Sequence, residues 1–375
     1  MMHRLPIWFF LCCGLALTAA PILAQTAPTP WPTEGWTTST PEAQGLNSAK
    51  LAEMIENIVV TDLNIHSVLV VRNGALVLEA YRYPHTAETL HHIYSCTKSF
   101  TSALVGIAQE QGFISSIEQP LLDFFPERTV ANLDEAKKSI TIEHLLTMSS
   151  GLDWPGGILE PIMGDLRASD DWLQFVLDRP VSSNPGEQFL YNSGGSNLLA
   201  AIVETATGQP MLDFAEENLF KPLGITHLSW QTDPQGHYLG GWGLHLEPRD
   251  MAKFGYLYLN GGQWDGQQII PAEWVATSTQ KHISSQPLSD GYGYQWWVDH
   301  NGYYMALGYG GQYILVYPEK NLVVVFTSGL APTSFSQPES FFERFILPAV
   351  EADTALPENP EGTAALEEAI ESLAN

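Results

Sequence analysis

The chain has 375 residues, 45% of them hydrophobic and 15% charged, which is enough apolar material for one large packed domain or two ordinary ones and too much for a disordered protein. Lys and Arg total 16 against 42 Asp and Glu, and the resulting formal charge of −26 repels phosphate backbones and anionic lipid, so nucleic acid is excluded as a partner.

The chain opens with His3 and Arg4, an apolar run from Leu5 to Ala20, then Pro21 and small residues. This pattern predicts a cleavable secretory signal over residues 1–24, cut after Ala24. The alternative is an uncleaved anchor, but the run is shorter than the ~20 residues a spanning helix needs. Neither Cys12 nor Cys13 follows the small residue that lipid attachment requires. The expected location is periplasmic or extracellular, with no stable membrane insertion after cleavage. Cys96 is then the sole cysteine left, so no internal disulfide forms and stability rests on packing.

A Pro/Thr/Gly-rich lead-in follows and should wrap the surface. Leu51, Met54, Ile55 and Ile58 recur at helical spacing behind a cap at Asn47 or Ser48. "IHSVLVVRNGALVLEAYRY" places two β-branched runs around Asn73-Gly74, a strong hairpin signal. From Thr97 to Gln111 the pattern is helical again, with Phe100, Leu104 and Ile107 on one face and Gly112 at the end. Residues 112–287 hold helix-like pieces joined by loops rich in Gly, Pro and Trp. Strands return in "YGYQWWVDH", "YYMALGYGGQYILVYPE" and "LVVVFTSG", and a helix is expected around 335–350. The acidic tail from Glu351 reads as disordered. Strands at both ends with helices between predict an α+β fold: one antiparallel sheet built from 25–111 and 288–350, flanked by helices, with 112–287 as a large helical insertion.

In "IYSCTKSF" a serine stands three positions ahead of a lysine at the head of the helix, so Ser95 and Lys98 share a face. A lysine desolvated in a cleft holds its proton less tightly and can serve as a base, and the helix N-terminus favours the anionic states of a serine nucleophile. Ser-x-x-Lys is short enough to occur by coincidence, and Ser278-Thr279-Gln280-Lys281 is a second instance. That one ends a helix and runs into polar residues, so its lysine should be solvated. No Gly-x-Ser-x-Gly elbow, no His-Glu-x-x-His and no phosphate-cradling loop appears. His91-His92 lack a Cys or carboxylate set at ligand spacing and read as structural, so no metal is expected. With 11 histidines a Ser-His-Asp triad stays formally open.

Ser95-Cys96-Thr97-Lys98 after a two-stranded hairpin resembles the serine hydrolases of the β-lactamase and penicillin-binding-protein superfamily, closest to the class-C-like branch of carboxylesterases, D-aminopeptidases and 6-aminohexanoate-oligomer hydrolases. "LLTMSSGLDWPG", "PGEQFLYNSGGSNLLAAIVETATGQ", "RDMAKFGYLYLNGGQWDGQQIIPAEWV" and "YGGQYILVYPEKNLVVVF" extend the resemblance over nearly the whole mature chain. The family's second motif, Tyr-x-Asn, falls at Tyr191-Asn192-Ser193, with Ser193 where the asparagine would be. Its third, Lys/His-x-Gly, falls at Tyr309-Gly310-Gly311, with Tyr309 replacing the basic residue.

The resemblance implies a two-step acyl transfer in which Ser95 attacks a carbonyl while Lys98 and Tyr191 share the proton transfers as a coupled pair, without assigning the base to either. It also implies an oxyanion site at the backbone N–H groups of Ser95 and Gln312, lined by Tyr309, Gly311 and Ser193, with no metal or organic cofactor. A small-molecule ester or linear amide is the expected substrate. The alternatives are a β-lactamase or D-Ala-D-Ala peptidase, or an exported binding or sensor domain that has lost the chemistry. Cys96, one position from Ser95 on a helix, should point away and be buried. Trp154, Trp242, Trp296, Trp297 and Tyr303 are candidates for an apolar pocket, and Arg249 is a candidate replacement for the missing basic group.

Overall fold

The computed structural model describes residues 31–375. The expected signal at 1–24 lies outside the described residues. Helix α1 (Ser48–Val60) starts where Asn47 accepts hydrogen bonds from the N–H groups of Ala49 and Lys50, and it buries Leu51, Met54, Ile55 and Ile58 as the spacing requires. Strands β1 (Ile65–Arg72) and β2 (Ala75–Tyr81) meet at Asn73 and Gly74, whose φ values of 52° and 79° are the left-handed pair that a two-residue hairpin turn needs.

Strand β3 (His91–His92) leads to α2 (Thr97–Glu110). Every residue of α2 from Thr97 to Ala108 is buried, so it is a central helix rather than a surface one. Its small residues make this possible: a Cβ on Gly106 would come within 2.4 Å of the Trp274 ring. In the helical region α3 (Ser193–Thr207) packs on α2. Strands β4 (Leu228–Trp230) and β5 (Leu244–Leu246) join β3 in a small sheet of order β3-β5-β4. Helix α4 (Pro248–Leu259) belongs to the middle of the sequence yet packs on the main sheet.

The later strands are β6 (Gly291–Tyr292), β7 (Trp297–Val298), β8 (Tyr304–Gly308), β9 (Gln312–Tyr317) and β10 (Leu322–Ser328). They complete a seven-stranded antiparallel sheet of order β2-β1-β10-β9-β8-β7-β6, in which the two chain ends meet between β1 and β10. Both faces are covered. Val68, Val70, Leu315, Val324 and Phe326 pack among residues of the terminal helices, while Leu69, Val71, Ile314, Val323 and Val325 join the core that holds α2 and α4. Alternation along each strand therefore feeds two cores at once, so these strands read as continuous apolar runs. Gly255 lets α4 lie close to the sheet, since a Cβ there would meet Val323 at 2.6 Å and Ile314 at 2.8 Å.

One expectation fails outright. The acidic tail is ordered: α5 (Pro360–Ala374) packs on α1, burying Leu366, Ala369 and Leu373 behind a cap at Asn359. Its net acidity masks a narrow apolar stripe at helical spacing, and a stripe is enough when α1 offers a matching face.

Candidate active site

Three elements converge on Ser95. The residue lies in a single 3₁₀ turn, Tyr94–Cys96, that runs directly into α2. Tyr94 enters the turn with φ 47°, held there by Thr97 Oγ1 donating to its carbonyl at 2.6 Å and by stacking on the His92 ring at 3.9 Å. A non-glycine residue in this region is strained, and the strain turns the next side chain into the cleft. One turn later Lys98 Nζ donates to Ser95 Oγ at 3.0 Å.

Lys98 is 1% exposed and also donates to Ser193 Oγ at 2.9 Å and to the Gly241 carbonyl at 2.7 Å. All its donors are used, and among the described residues no carboxylate touches it. Burial pushes its pKa down to about 8, and the charge of Glu160 opposes that drop. Tyr191 precedes α3 and presents its ring face 4.8 Å from Lys98 Nζ, and Ser95 lies close enough to its hydroxyl to favour the ionised form. Burial first, and then Glu160, raise its proton affinity.

Glu160 was not legible in the sequence. Its buried carboxylate accepts hydrogen bonds from Ser193 N at 2.6 Å, Ser193 Oγ at 2.5 Å and Trp154 Nε1 at 2.7 Å. Ser193 therefore links Glu160 to Lys98 and is not free in the cleft. The segment that carries Glu160 is a loop with no motif, and only the tertiary fold brings it under α3.

The turn between β8 and β9 forms the opposite wall. Gly310 and Gly311 adopt φ of 75° and 87°, and a Cβ on Gly311 would meet Leu330 at 2.9 Å, so both positions need glycine. Tyr309 is 51% exposed at the mouth of the cleft, its ring 5.5 Å from that of Tyr94. Gln312 spends its side chain internally, its Nε2 donating to the carbonyls of Ser328 at 2.5 Å and Tyr309 at 3.2 Å. Cys96 is buried and donates to the Gln312 carbonyl at 3.4 Å, which ties the start of β9 to the turn holding Ser95.

Two spaces open at Ser95. A cleft of about 930 Å³ is bordered by Tyr94, Glu160, Arg167, Trp230, Trp242 and Tyr309. On the other side an apolar recess of about 50 Å³ lies between Tyr191, Trp297, Leu307 and Phe335. Trp297, Leu307 and Phe335 also wall a cavity of about 200 Å³ that reaches Glu339.

Residues 62–343 match the model of the beta-lactamase family. The chain belongs to that family. It is thereby a serine hydrolase of the β-lactamase and penicillin-binding-protein superfamily, with the α+β fold of that group. An uncharacterized protein of Alkalihalophilus pseudofirmus is 26% identical over 339 residues, covering 79% of this chain and 90% of the relative. The 6-aminohexanoate-dimer hydrolase of Paenarthrobacter ureafaciens is 24% identical over 283 residues, covering 68% of this chain and 70% of that enzyme. Among solved structures, EstCE1, described as a hydrolase with promiscuous acyltransferase activity, superposes with a TM-score of 0.68 at 18% identity, over 80% of this chain and 99% of that one.

Several candidates of this beta-lactamase family chain fall away from the cleft. Arg249 is held in a two-pronged pair with Glu79 at 2.6 and 2.8 Å; the cation that does line the cleft is Arg167. Of the proposed aromatic lining, Trp242 and Trp297 face the two spaces. Trp154 and Trp296 are core, and Tyr303 donates to Glu339 and Glu343. In the second Ser-x-x-Lys, Ser278 Oγ donates to the Val275 carbonyl while Lys281 pairs with Asp290 at 3.3 Å.

Proposed function

We propose that this chain is an exported serine hydrolase that forms an acyl-enzyme on Ser95 and acts on small esters or linear amides. The observation that carries the reading is the 3.0 Å contact between Ser95 Oγ and a fully buried lysine whose pKa is lowered to about 8. At neutral to mildly alkaline pH a substantial fraction of Lys98 is an uncharged amine within reach of the hydroxyl, which is what a general base needs.

In the first step Ser95 Oγ attacks the substrate carbonyl carbon and its proton passes to the Lys98–Tyr191 pair. The backbone N–H groups of Ser95 and Gln312 hold the negative oxygen. Collapse breaks the bond to the alcohol or amine, which leaves with the proton. Water then attacks the ester on Ser95 by the reverse roles, releasing the acid and restoring the hydroxyl. The recess beside Tyr191 and Trp297 suits a short apolar acyl group, and the wide cleft takes the alcohol or amine. The names of two relatives, a 6-aminohexanoate-dimer hydrolase and a hydrolase with acyltransferase activity, support this chemistry.

A β-lactamase or D-Ala-D-Ala peptidase is the second reading. It asks for a cation at the third motif to meet the substrate carboxylate, and Tyr309 offers a neutral hydroxyl. A neutral hydrogen bond is roughly half as strong as a charge-assisted one, so anionic substrates are penalised. Ser193, engaged by Lys98 and Glu160, replaces the asparagine that donates to an amide carbonyl. The test is kcat/KM for a p-nitrophenyl ester of a short acid against a linear amide, a D-amino-acid peptide and a cephalosporin, with Ser95→Ala as blank. A cephalosporin that outperforms the ester overturns the substrate reading. Failure of a fluorophosphonate to label Ser95 in the folded protein overturns the hydrolase reading and leaves a binding domain.

A further inference from the structure

We propose that His66, His85 and His91 form a binding site for a zinc-type divalent cation, which clips β1 to the segment leading into Ser95. The three imidazoles come from β1, from the loop after β2 and from β3, and one nitrogen of each lies within 4.8 Å of the others. His91 stands four residues before Ser95, so the clip would brace the strand from which the nucleophile turn departs.

The hydrogen bonds around His66 leave one nitrogen with a bare lone pair. Asn64 Nδ2 donates to the Gly329 carbonyl at 3.0 Å, which orients the Asn64 amide so that its Oδ1 faces His66 Nε2 at 3.2 Å. A carbonyl oxygen only accepts, so Nε2 carries the hydrogen and Nδ1 does not. That Nδ1 is buried and has no hydrogen-bond partner among the described residues. An outer N–H donated to a carbonyl is the arrangement that fixes tautomer and ring orientation in metal-ligating histidines.

Charge favours the same reading. The nearby Arg82 is countered by Asp62 at 2.9 Å, and a net charge of −26 draws cations to the surface.

Three imidazoles with no thiolate suit zinc or copper better than magnesium or calcium, and water would complete a four-coordinate shell. Metal–nitrogen bonds of about 2.0–2.1 Å place tetrahedral ligand atoms roughly 3.4 Å apart, so the site must tighten by somewhat more than an ångström. The His66 and His85 rings, now stacked at 3.9 Å, must also splay, and His85 is half-exposed on the loop after β2. His91 is the one histidine of the sequence pair 91–92 involved; its ligand partners were invisible beside it because they lie 25 and 6 residues upstream on other elements.

The test uses the full chain, stripped with chelator and titrated with Zn²⁺ by calorimetry and with Co²⁺ by visible absorption. One Zn²⁺ per chain is expected, with Co²⁺ bands typical of low coordination number and a higher Tm in the presence of Zn²⁺. His85→Ala, on the exposed loop, should weaken binding at least tenfold with an unchanged circular dichroism spectrum, and Asn64→Ala should weaken it about 10–100-fold. His245→Ala, which removes a different imidazole stacked on His92 at 4.6 Å, should leave binding unchanged. No Zn²⁺ binding, or binding and Co²⁺ spectra indifferent to His85→Ala, overturns the proposal whatever the hydrolase assays show.

Discussion

Glu160 Oε2 accepts a hydrogen bond from Ser193 Oγ at 2.5 Å, and the same hydroxyl oxygen accepts one from Lys98 Nζ at 2.9 Å. A buried carboxylate thus stands one hydroxyl away from the amine beside Ser95, as a positioning residue. Its charge holds the lysine proton more tightly than burial alone would allow. Glu160→Gln keeps an acceptor and removes the charge, so Lys98 should lose its proton at lower pH. The acid limb of kcat/KM for a p-nitrophenyl ester, expected near the lysine pKa of about 8, should move down. A limb that stays in place would show that Glu160 only supports the loop.

Ser95→Ala and Lys98→Ala should each abolish turnover while the protein remains folded. Tyr191→Phe keeps the ring that stacks on Trp297 at 5.7 Å and loses only the hydroxyl. Its rate should fall about 10²-fold or more, the scale for removing a proton-transfer group. Near-normal kcat in Tyr191→Phe takes that residue out of the mechanism.

Cys96 is buried with its thiol on the Gln312 carbonyl, and burial raises its pKa, so the reactive thiolate is suppressed. Cys96→Ala should retain hydrolysis and cost on the order of 1 kcal/mol in stability from the small cavity. Alkylating reagents should leave the folded wild type active; rapid inactivation that Cys96→Ala prevents would place the thiol in the cleft.

Glu339, at the far end of the apolar cavity, has its pKa raised from 4.5 to about 7, chiefly by burial. The folded state therefore binds a proton more tightly than the unfolded chain between those values. Stability attributable to this group is greatest below pH 4.5 and is lost as pH rises through about 7. Glu339→Gln should raise the unfolding free energy at pH 8 by no more than about 3 kcal/mol, seen as a higher Tm, and have little effect at pH 4. Equal effects at both pH values would refute the ionisation argument.

Deleting 351–375 should lower Tm strongly, because it uncovers the face of α1 that Leu366 and Leu373 bury and removes the partner of Arg72, whose side chain is buried and pairs with Asp353 at 3.1 Å. Asp353→Asn alone should cost less than about 1 kcal/mol, since that carboxylate is largely exposed. Thermal denaturation of both variants checks the ranking.

What the sequence showed and what it hid follow from locality. The Asn47 cap, the Asn73-Gly74 turn and the Ser95–Lys98 spacing are short-range features whose geometry is set within a few residues, and the structure places them as read. Glu160 and Arg167 meet the residues they touch only through the tertiary fold, and the His66–His85–His91 cluster is gathered from three separate elements. A lone Glu in a loop carries no period and no motif. The tail reads as disordered for a related reason: bulk acidity outweighs a three-residue apolar stripe, Leu366, Ala369 and Leu373, whose worth depends on α1.

The pairing of β1 with β10 sets a timetable for the chain. Ser67 and Thr327, joined side chain to side chain at 2.6 Å, are 260 positions apart. At about 5–20 residues per second, synthesis leaves β1 and β2 waiting roughly 10–50 s for the strand that lies beside them. Until then a hairpin of apolar residues has an open edge and no sheet to join, and contacts this distant in sequence form slowly even when available. Mutations that weaken β10 should therefore reduce the yield of folded enzyme well before they reduce its activity per molecule.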